Sequence, residues 1–336
     1  MSCRHFLFVT IGFVLASPGL MAQEPKMTSA LKASPVDVPM LFRGPQPAIE
    51  VFVNGEGPFL FAIDTGGAGE ARLDSALAKK LNLKVVGNVK AGASPGSKTQ
   101  TFEQVRLDSL SFGGAEFKNV TAMVRDYNRP GSGLPKIDGI LGFGLFADYL
   151  LTLDYPAKRV RIEKGALPKP DDESVIAFEM PKGVPVVEMT VDRGRVKAIL
   201  DTGSMGGILL PQSTVTGLPL GGEPKVVGKG KTVSGEFVIQ QAPLRGTMRL
   251  GSHRFTDPVI EFADIFESAV VGNKIFGQFR LTFDQANRRV QLISQEPKKL
   301  SNSMGRDVVR FASEVSVQAR QIDSIEIAKP AVDSVS

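Results

Sequence analysis

Two short stretches of the chain share one pattern. Residues 59–73 read FLFAIDTGGAGEARL, and residues 196–210 read VKAILDTGSMGGILL. In both, an apolar run typical of a buried strand ends in Asp-Thr-Gly, and small residues then lead into a second apolar run. A single ionised carboxylate at the end of a buried strand is costly, so one such segment calls for a partner. The doubled motif therefore predicts that Asp64 and Asp201 lie together in the folded chain.

The doubled motif belongs to a longer internal repeat. The segment GILGFGLFADYLLTLDYPAKRVRI at residues 139–162 aligns with AVVGNKIFGQFRLTFDQANRRVQL at residues 269–292, which sets Gly142 on Gly272. We infer two copies of one unit of roughly 115 residues. Copies related by an approximate twofold axis bring equivalent loops together at that axis, so the repeat would supply the geometry that a pair of aspartates needs.

The pattern of apolar and turn residues in the repeated region predicts the fold class. Short alternating apolar runs, interrupted by Gly, Pro or Asn at intervals of about eight to twelve residues, predict an all-β sandwich or barrel. We assign residues 45–165 to a first lobe, 166–180 to a Pro-rich linker and 181–295 to a second lobe. The segment DSALAKKLNL, after the first motif, predicts a short helix. Residues 296–336 lose the strand pattern and are expected to be either disordered or one amphipathic helix.

The beginning of the chain predicts export. Residues 1–22 have a basic start at Arg4 and an apolar run from Phe6 to Ala16, and Leu-Met-Ala at the end of this segment is a plausible cleavage site. This segment is expected to be a signal peptide, the alternative being an uncleaved anchor. Its apolar run is too short to span a membrane as a helix, so no stable membrane span is expected after its removal. Residues 23–44 are expected to form a flexible leader.

Composition excludes several kinds of chemistry. The chain has one cysteine, Cys3, and two histidines, His5 and His253. Cys3 and His5 lie in the predicted signal peptide. After its removal the chain would have no cysteine and one histidine, which excludes a disulfide framework, a thiol nucleophile and a cysteine- or histidine-rich metal site. We therefore predict no metal and no cofactor. The net charge of +5 is mild and not concentrated in a basic block, so nucleic-acid binding is not expected.

A pair of aspartates can still supply chemistry without these groups. Two carboxylates a few ångströms apart cannot both ionise cheaply, so the pair shares a proton. One carboxylate can then act as a base and the other as an acid at the same pH. A water between them could attack a peptide carbonyl, and positioned proton transfer of this kind contributes about 10² to 10⁴ in rate.

The residues that carry a family resemblance are AIDTG and ILDTGS, each followed downstream by two apolar residues and a glycine, ILG at 140–142 and VVG at 270–272. Together they resemble aspartic peptidases of the retropepsin and pepsin type, most closely bacterial exported proteins with two fused retropepsin-like units. The resemblance covers residues 45–295. It implies a bilobal aspartic-protease-like fold, in which two related closed or partly open β-barrels flank a cleft at a pseudo-twofold axis. A monomer would then suffice to build the site, and the location would be periplasmic or extracellular.

The resemblance also assigns roles to residues. Asp64 and Asp201 would be the catalytic pair, and Thr65 and Thr202 would cross-link their loops. The supporting glycines and serine would be Gly66, Gly67, Gly142, Gly203, Ser204 and Gly272. Flaps over the substrate would be two glycine-rich hairpins, with Gly92, Ser94 and Gly96 in the first and Gly228, Gly230 and Gly235 in the second. The family usually has serine, threonine or alanine where Gly67 stands, so Gly67 is a departure that removes a hydroxyl group from beside Asp64.

Three functions remain open at this point. The first is an exported aspartic endopeptidase that binds a polypeptide in extended form and cuts it. The second is a peptide-binding module on the same fold with weak or no catalysis, which Gly67 makes conceivable. The third is a structural envelope protein whose basic tail docks on a partner or an anionic surface. The two aspartates with their two threonines favour the first, since a binder has no need for four buried polar side chains at one axis.

Overall fold

Strands make up almost every element of the structure, as the sequence predicts. The computed structural model describes residues 25–91, 100–128, 135–232, 235–264 and 267–294. The strands up to the end of the first lobe are β1 (Thr28–Leu31), β2 (Val36–Pro39), β3 (Leu41–Arg43), β4 (Gln46–Val53), β5 (Glu56–Asp64), β6 (Ala71–Asp74), β7 (Val85–Ala91), β8 (Gln100–Phe112), β9 (Ala115–Arg125), β10 (Gly139–Gly142), β11 (Leu150–Asp154) and β12 (Arg159–Glu163). Helix α1 (Ser75–Lys80) follows β6, and a 3₁₀ turn (Phe143–Phe146) follows β10.

The remaining elements complete the second lobe. Its strands are β13 (Val175–Ala177), β14 (Val186–Val191), β15 (Gly194–Leu200), β16 (Ile208–Pro211), β17 (Lys225–Thr232), β18 (Gly235–Pro243), β19 (Thr247–Leu250), β20 (His253–Thr256), β21 (Val259–Ala263), β22 (Ala269–Val271), β23 (Phe279–Asp284) and β24 (Arg289–Ser294). The helices are α2 (Gln212–Val215), α3 (Asn273–Phe276) and a 3₁₀ turn (Pro181–Gly183). Within the described ranges, no helix is both long and apolar enough to cross a membrane.

Each lobe is built on one large sheet. The first has the order β1-β9-β6-β10-β5-β4-β8-β7, with β3 at the side of β4, and β8 pairs with β9 as well as with β4 and β7. The second has the order β17-β18-β21-β16-β22-β15-β14-β19-β20. Because β8 bonds to three strands, the first sheet curls back on itself towards a barrel. The predicted bilobal, all-β fold is confirmed.

Alternation along the strands explains the core. In β4, Ile49, Val51 and Val53 are fully buried, whereas Glu50 and Phe52 point outward. This period of two is the pattern of a strand with one buried face. The same rule buries the central strands of both lobes, including Phe61 and Phe262.

A third sheet joins the lobes. Its six strands have the order β13-β24-β23-β11-β12-β2, so two hairpins, β11–β12 and β23–β24, meet at the contact of β11 with β23. Thr152 and Thr282, which the sequence repeat aligns, face each other in this register, and their hydroxyl oxygens lie 2.9 Å apart. The pairing runs symmetrically to both sides of these threonines, so a local twofold axis passes between them.

The two lobes share an order of elements. From β4 to β12 and from β14 to β24, a hairpin leads to a short strand with a helix, then to a long hairpin, and finally to the pair of strands in the joining sheet. The long hairpins even share a detail that the sequence analysis missed. Residues 84–87 and 225–228 both read KVVG, and both hairpins have a β-bulge there, between Val85 and Gly87 and between Val226 and Gly228.

Two connecting segments are more ordered than predicted. Residues 23–44 were expected to be a flexible leader, but their described part forms β1, β2 and β3. The expectation is wrong because the apolar runs between Pro and Ser are short and become strands by pairing with distant parts of the chain. Strand β1 pairs with β9, and β2 extends the joining sheet beyond β12. Val36 and Met40 are buried. The predicted linker, 166–180, likewise contains β13, which pairs with β24. The predicted signal peptide and the tail lie outside the described residues.

Candidate active site

Parallel strand pairs deliver both aspartates to the junction of the lobes. In the first lobe β10 lies beside β5 with Gly142 next to Asp64. In the second, β22 lies beside β15 with Val271 next to Leu200, the residue before Asp201. Each aspartate therefore ends a central strand of its lobe, as the apolar runs before Asp-Thr-Gly predict.

The two threonines cross-link the loops reciprocally. The Thr65 hydroxyl donates to the carbonyl oxygen of Leu200 (2.6 Å) and accepts from the backbone N–H of Thr202 (3.1 Å). The Thr202 hydroxyl donates to the carbonyl oxygen of Ile63 (2.8 Å) and accepts from the backbone N–H of Thr65 (3.0 Å). Both threonines are fully buried, so all four hydrogen bonds are protected from water. The cross-link expected from the family resemblance is present in this geometry.

Glycines allow the close approach of the two loops. A Cβ atom built on Gly66 would collide with the Asp201 carboxyl, and one built on Gly203 would lie 2.6 Å from Cγ of Asp64. Each glycine thus lies against the aspartate of the opposite lobe. Because any larger residue would push the loops apart, the glycine of each Asp-Thr-Gly motif sets how close the carboxyl groups come.

The two carboxyl groups interact directly, but their surroundings differ. Asp201 Oδ1 accepts hydrogen bonds from the backbone N–H groups of Gly203 (2.7 Å) and Ser204 (3.1 Å). Burial, followed by the charge of Asp64 and a hydrogen bond to it, raises the pKa of Asp201 to about 8. A protonated Asp201 can donate to Asp64 Oδ1, a buried oxygen with no other hydrogen-bond donor among the described residues. Burial and the nearby charge of Asp64 therefore favour the protonated form of Asp201.

Asp64 has a cationic partner that the sequence analysis missed. Nη1 of Arg72, in β6, lies 2.9 Å from Asp64 Oδ2, and Nη2 donates to the carbonyl oxygen of Ala68 (3.3 Å). The same contact explains Gly67, since a Cβ atom at that position would overlap the Arg72 guanidinium. The departure at Gly67 is thus matched to a charged group beside Asp64. An arginine within the apolar run that follows Asp-Thr-Gly, where the second copy has Leu209, was the available signal.

Gly142 and Gly272 pack against the loops that carry Asp64 and Asp201. A Cβ atom on Gly142 would lie 3.0 Å from the carbonyl oxygen of Gly67, and one on Gly272 would lie 2.8 Å from Oγ of Ser204. The Ser204 hydroxyl accepts a weak hydrogen bond from the N–H of Gly206 (3.4 Å). Substituting either of these two glycines would therefore displace the loop that carries the aspartate.

Asn273 is a further supporting residue that the sequence did not reveal. Its side-chain nitrogen donates to the carbonyl oxygens of Thr202 (2.7 Å) and Ser204 (2.6 Å), and its oxygen accepts from the Tyr155 hydroxyl (2.6 Å). Asn273 is buried, so it ties the second Asp-Thr-Gly loop to the joining sheet. The first copy has Phe143 at the aligned position, and comparison of the copies would have singled Asn273 out.

The predicted flaps correspond to the two long hairpins. Gly92, Ser94 and Gly96 lie outside the described residues, between β7 and β8. Gly228 and Gly230 lie in β17, and Gly235 begins β18, its antiparallel partner. The structure therefore describes the strands of the two hairpins but not residues 92–99 and 233–234 at their tips.

His253, Asp154 and Asp284, to which the sequence analysis assigned no role in the site, make contacts that stabilise the fold. His253 contacts the carbonyl oxygen of Leu292 (3.2 Å) and packs edge-on against Phe279. Asp154 and Asp284 accept backbone hydrogen bonds in the turns after β11 and β23. All of these contacts are structural.

Comparison with known proteins supports this reading of the first lobe. Residues 49–145 match the aspartyl protease family, a range that includes Asp64, Arg72 and Gly142 and ends before the second Asp-Thr-Gly. A search of curated proteins finds no match. The first lobe is therefore similar to aspartyl proteases over the matched residues.

Proposed function

We propose that the chain is an exported aspartic endopeptidase made of two fused retropepsin-type units, with Asp64 and Asp201 as its catalytic residues. The observation that carries the proposal is the close approach of two carboxyl groups, one from each lobe: a Cβ atom built on Gly203 would lie 2.6 Å from Cγ of Asp64 and 3.0 Å from Oδ1 of Asp201. The reciprocal threonine bonds support it, because they hold both backbones at a fixed separation. Such fixed geometry is what positioned proton transfer needs.

The chemistry of the proposal follows from the shared proton. The ionised carboxylate takes a proton from a water held between the two groups while the water oxygen bonds to the peptide carbonyl carbon. The protonated carboxyl gives its proton to the carbonyl oxygen, which yields a tetrahedral diol. The first carboxyl then protonates the amide nitrogen as the C–N bond breaks, and one diol hydroxyl returns its proton to the second carboxylate. The products are an acid and an amine, and the pair regains its starting state.

The proposed substrate is a polypeptide in extended form. Antiparallel hairpin stems, β7–β8 and β17–β18, belong to the two lobes that flank the pair. Extended peptides bind such surfaces through backbone hydrogen bonds. Since both lobes come from one chain, a monomer would be sufficient. Residues 1–22 would direct the protein to the periplasm or the exterior of a bacterial cell.

A second candidate function is a peptide clamp that does not cut. The observation in its favour is Arg72, whose guanidinium occupies one oxygen of Asp64 and would compete with the attacking water.

The test compares the full chain, produced with its own N-terminal segment, with Asp64→Asn and Asp201→Asn. An unfolded protein serves as substrate from about pH 3 to pH 8, and Asp154→Asn, in a turn of the joining sheet, is the matched control. We expect cleavage by the wild type and the control, and its loss in both pair variants. Peptide binding without cleavage at any pH would establish the clamp. N-terminal sequencing of the purified protein tests removal of residues 1–22.

A further inference from the structure

The two halves of the site differ in one linked pair of positions. In the first copy Gly67 is followed five residues later by Arg72, and in the second Ser204 is followed at the same distance by Leu209. The strands confirm the equivalence, because Arg72 pairs with Ile140 and Leu209 with Val270 in the aligned strands β10 and β22.

The two positions differ together between the copies for a steric reason. A Cβ atom at Gly67 would lie 2.6 Å from Nη2 of Arg72 and closer still to Nη1. The guanidinium therefore fills the space that a serine side chain would occupy. In the second copy Leu209 brings no guanidinium to this place, and Ser204 is accommodated.

The consequence is an electrically asymmetric pair. Asp64 has a full positive charge at 2.9 Å, whereas Asp201 has two neutral backbone N–H groups. The side chains of Arg72 and Asp64 are only 18% and 16% exposed, so solvent screens their attraction far less than that of a surface pair. An adjacent cation favours the ionised form of a carboxyl, and a proton shared by the pair then belongs on the other one.

Other groups near the pair do not offset this asymmetry. Two buried tyrosines lie within electrostatic reach of the pair: Tyr127, after β9, of Asp64, and Tyr155, after β11, of Asp201. The charges of Arg72, Arg125 and Asp74 also act on Tyr127. Asp74 is occupied with the N–H groups of Ala76 and Tyr127. The direct contact of Arg72 therefore dominates the field at Asp64.

We propose that Arg72 is a positioning residue that fixes the negative charge on Asp64 and the shared proton on Asp201. Asp64 is then the base that takes the proton of the attacking water, and Asp201 is the acid that gives its proton to the carbonyl oxygen. The assignment of base and acid rests on the proposed peptidase function. The location of the proton does not, and it is measurable without substrate.

The experiment uses the full chain with ¹³C in the aspartate carboxyls and follows their NMR titration, assigned with Asp64→Asn and Asp201→Asn. The key variant is Arg72→Met, and the mirror substitution Leu209→Met is its control. We expect the wild type and Leu209→Met to hold the proton on Asp201. In Arg72→Met, the first titration step of the pair should move to higher pH by about one unit or more, the range typical for loss of an adjacent arginine.

Two more variants keep the test informative if Arg72→Met folds poorly. Arg72→Lys retains the charge and should keep the wild-type order. The double variant Gly67→Ser/Arg72→Leu copies the second-lobe pair and should give the shifted titration with an intact fold. Where cleavage is measurable, the acid limb of the pH profile of kcat/KM, which reports the free enzyme, should shift upward with the NMR step.

The outcomes separate the two proposals. An unchanged titration in both Arg72→Met and the double variant would overturn the role of Arg72 while leaving the peptidase proposal intact. A wild type that cuts nothing but shows the asymmetric titration would retain the proton location and refute the peptidase.

Discussion

Replacement of Asp201 by asparagine should change how the stability of the protein depends on pH. The pKa of this carboxyl is raised to about 8, from 3.8 for an unperturbed group, chiefly by burial. Between these values the folded state holds a proton that the unfolded state has released. The free energy of unfolding of the wild type must therefore fall as pH rises from about 4 to about 8. An amide cannot ionise, so Asp201→Asn lacks this loss.

The magnitude follows from the shift. The difference between 3.8 and about 8 is about 4.2 pKa units, which at 1.36 kcal/mol per unit gives about 6 kcal/mol. This is an upper limit, because Asp201 keeps some solvent exposure and is coupled to Asp64. Asparagine keeps the shape and can still accept from Gly203 and donate towards Asp64. The two proteins should have similar stability at pH 4, and the variant should be more stable by at least about 2 kcal/mol at pH 8.

Urea unfolding at a series of pH values measures this difference. Groups other than Asp201 contribute nearly equally to both proteins, so the difference between the two curves isolates the pair. Parallel curves from pH 4 to pH 8 would refute the argument that Asp201 is held protonated in the folded state.

Three further predictions concern the loops around the pair. Thr202→Val leaves two buried backbone groups of the opposite loop without partners and should cost about 2–5 kcal/mol in urea unfolding; a cost below about 0.5 would mean that the cross-link is dispensable. Gly203→Ala places a methyl against the Asp64 carboxyl and should abolish cleavage, whereas Gly222→Ala, with open space around its Cβ, should not; equal activity of the two would refute the packing argument. Asn273→Leu removes three buried hydrogen bonds and should lower Tm by several degrees, and an unchanged Tm would contradict its supporting role.

The all-β, bilobal architecture and the meeting of two aspartates were readable in the sequence because they depend on local patterns. Alternation of apolar residues predicts the strands. An aspartate at the end of each of two buried strands predicts that the two carboxyl groups pair, because a single buried carboxylate is costly. The threonine cross-link was expected from the family resemblance alone. Strands β1 to β3 were missed, since their runs are short and their stability comes from pairing with distant strands such as β9 and β12.

What only the folded chain decided is the inequality of the two carboxyls. In the sequence, Gly67 only indicates that a hydroxyl group is absent beside Asp64, and Arg72 is one of many charged residues, eight positions after Asp64. Only the turn between β5 and β6, which brings the guanidinium back over Gly67 to 2.9 Å from Asp64, makes them one feature. Electrostatic interactions depend on distance and solvent exposure, and neither is encoded in the spacing of residues along a chain.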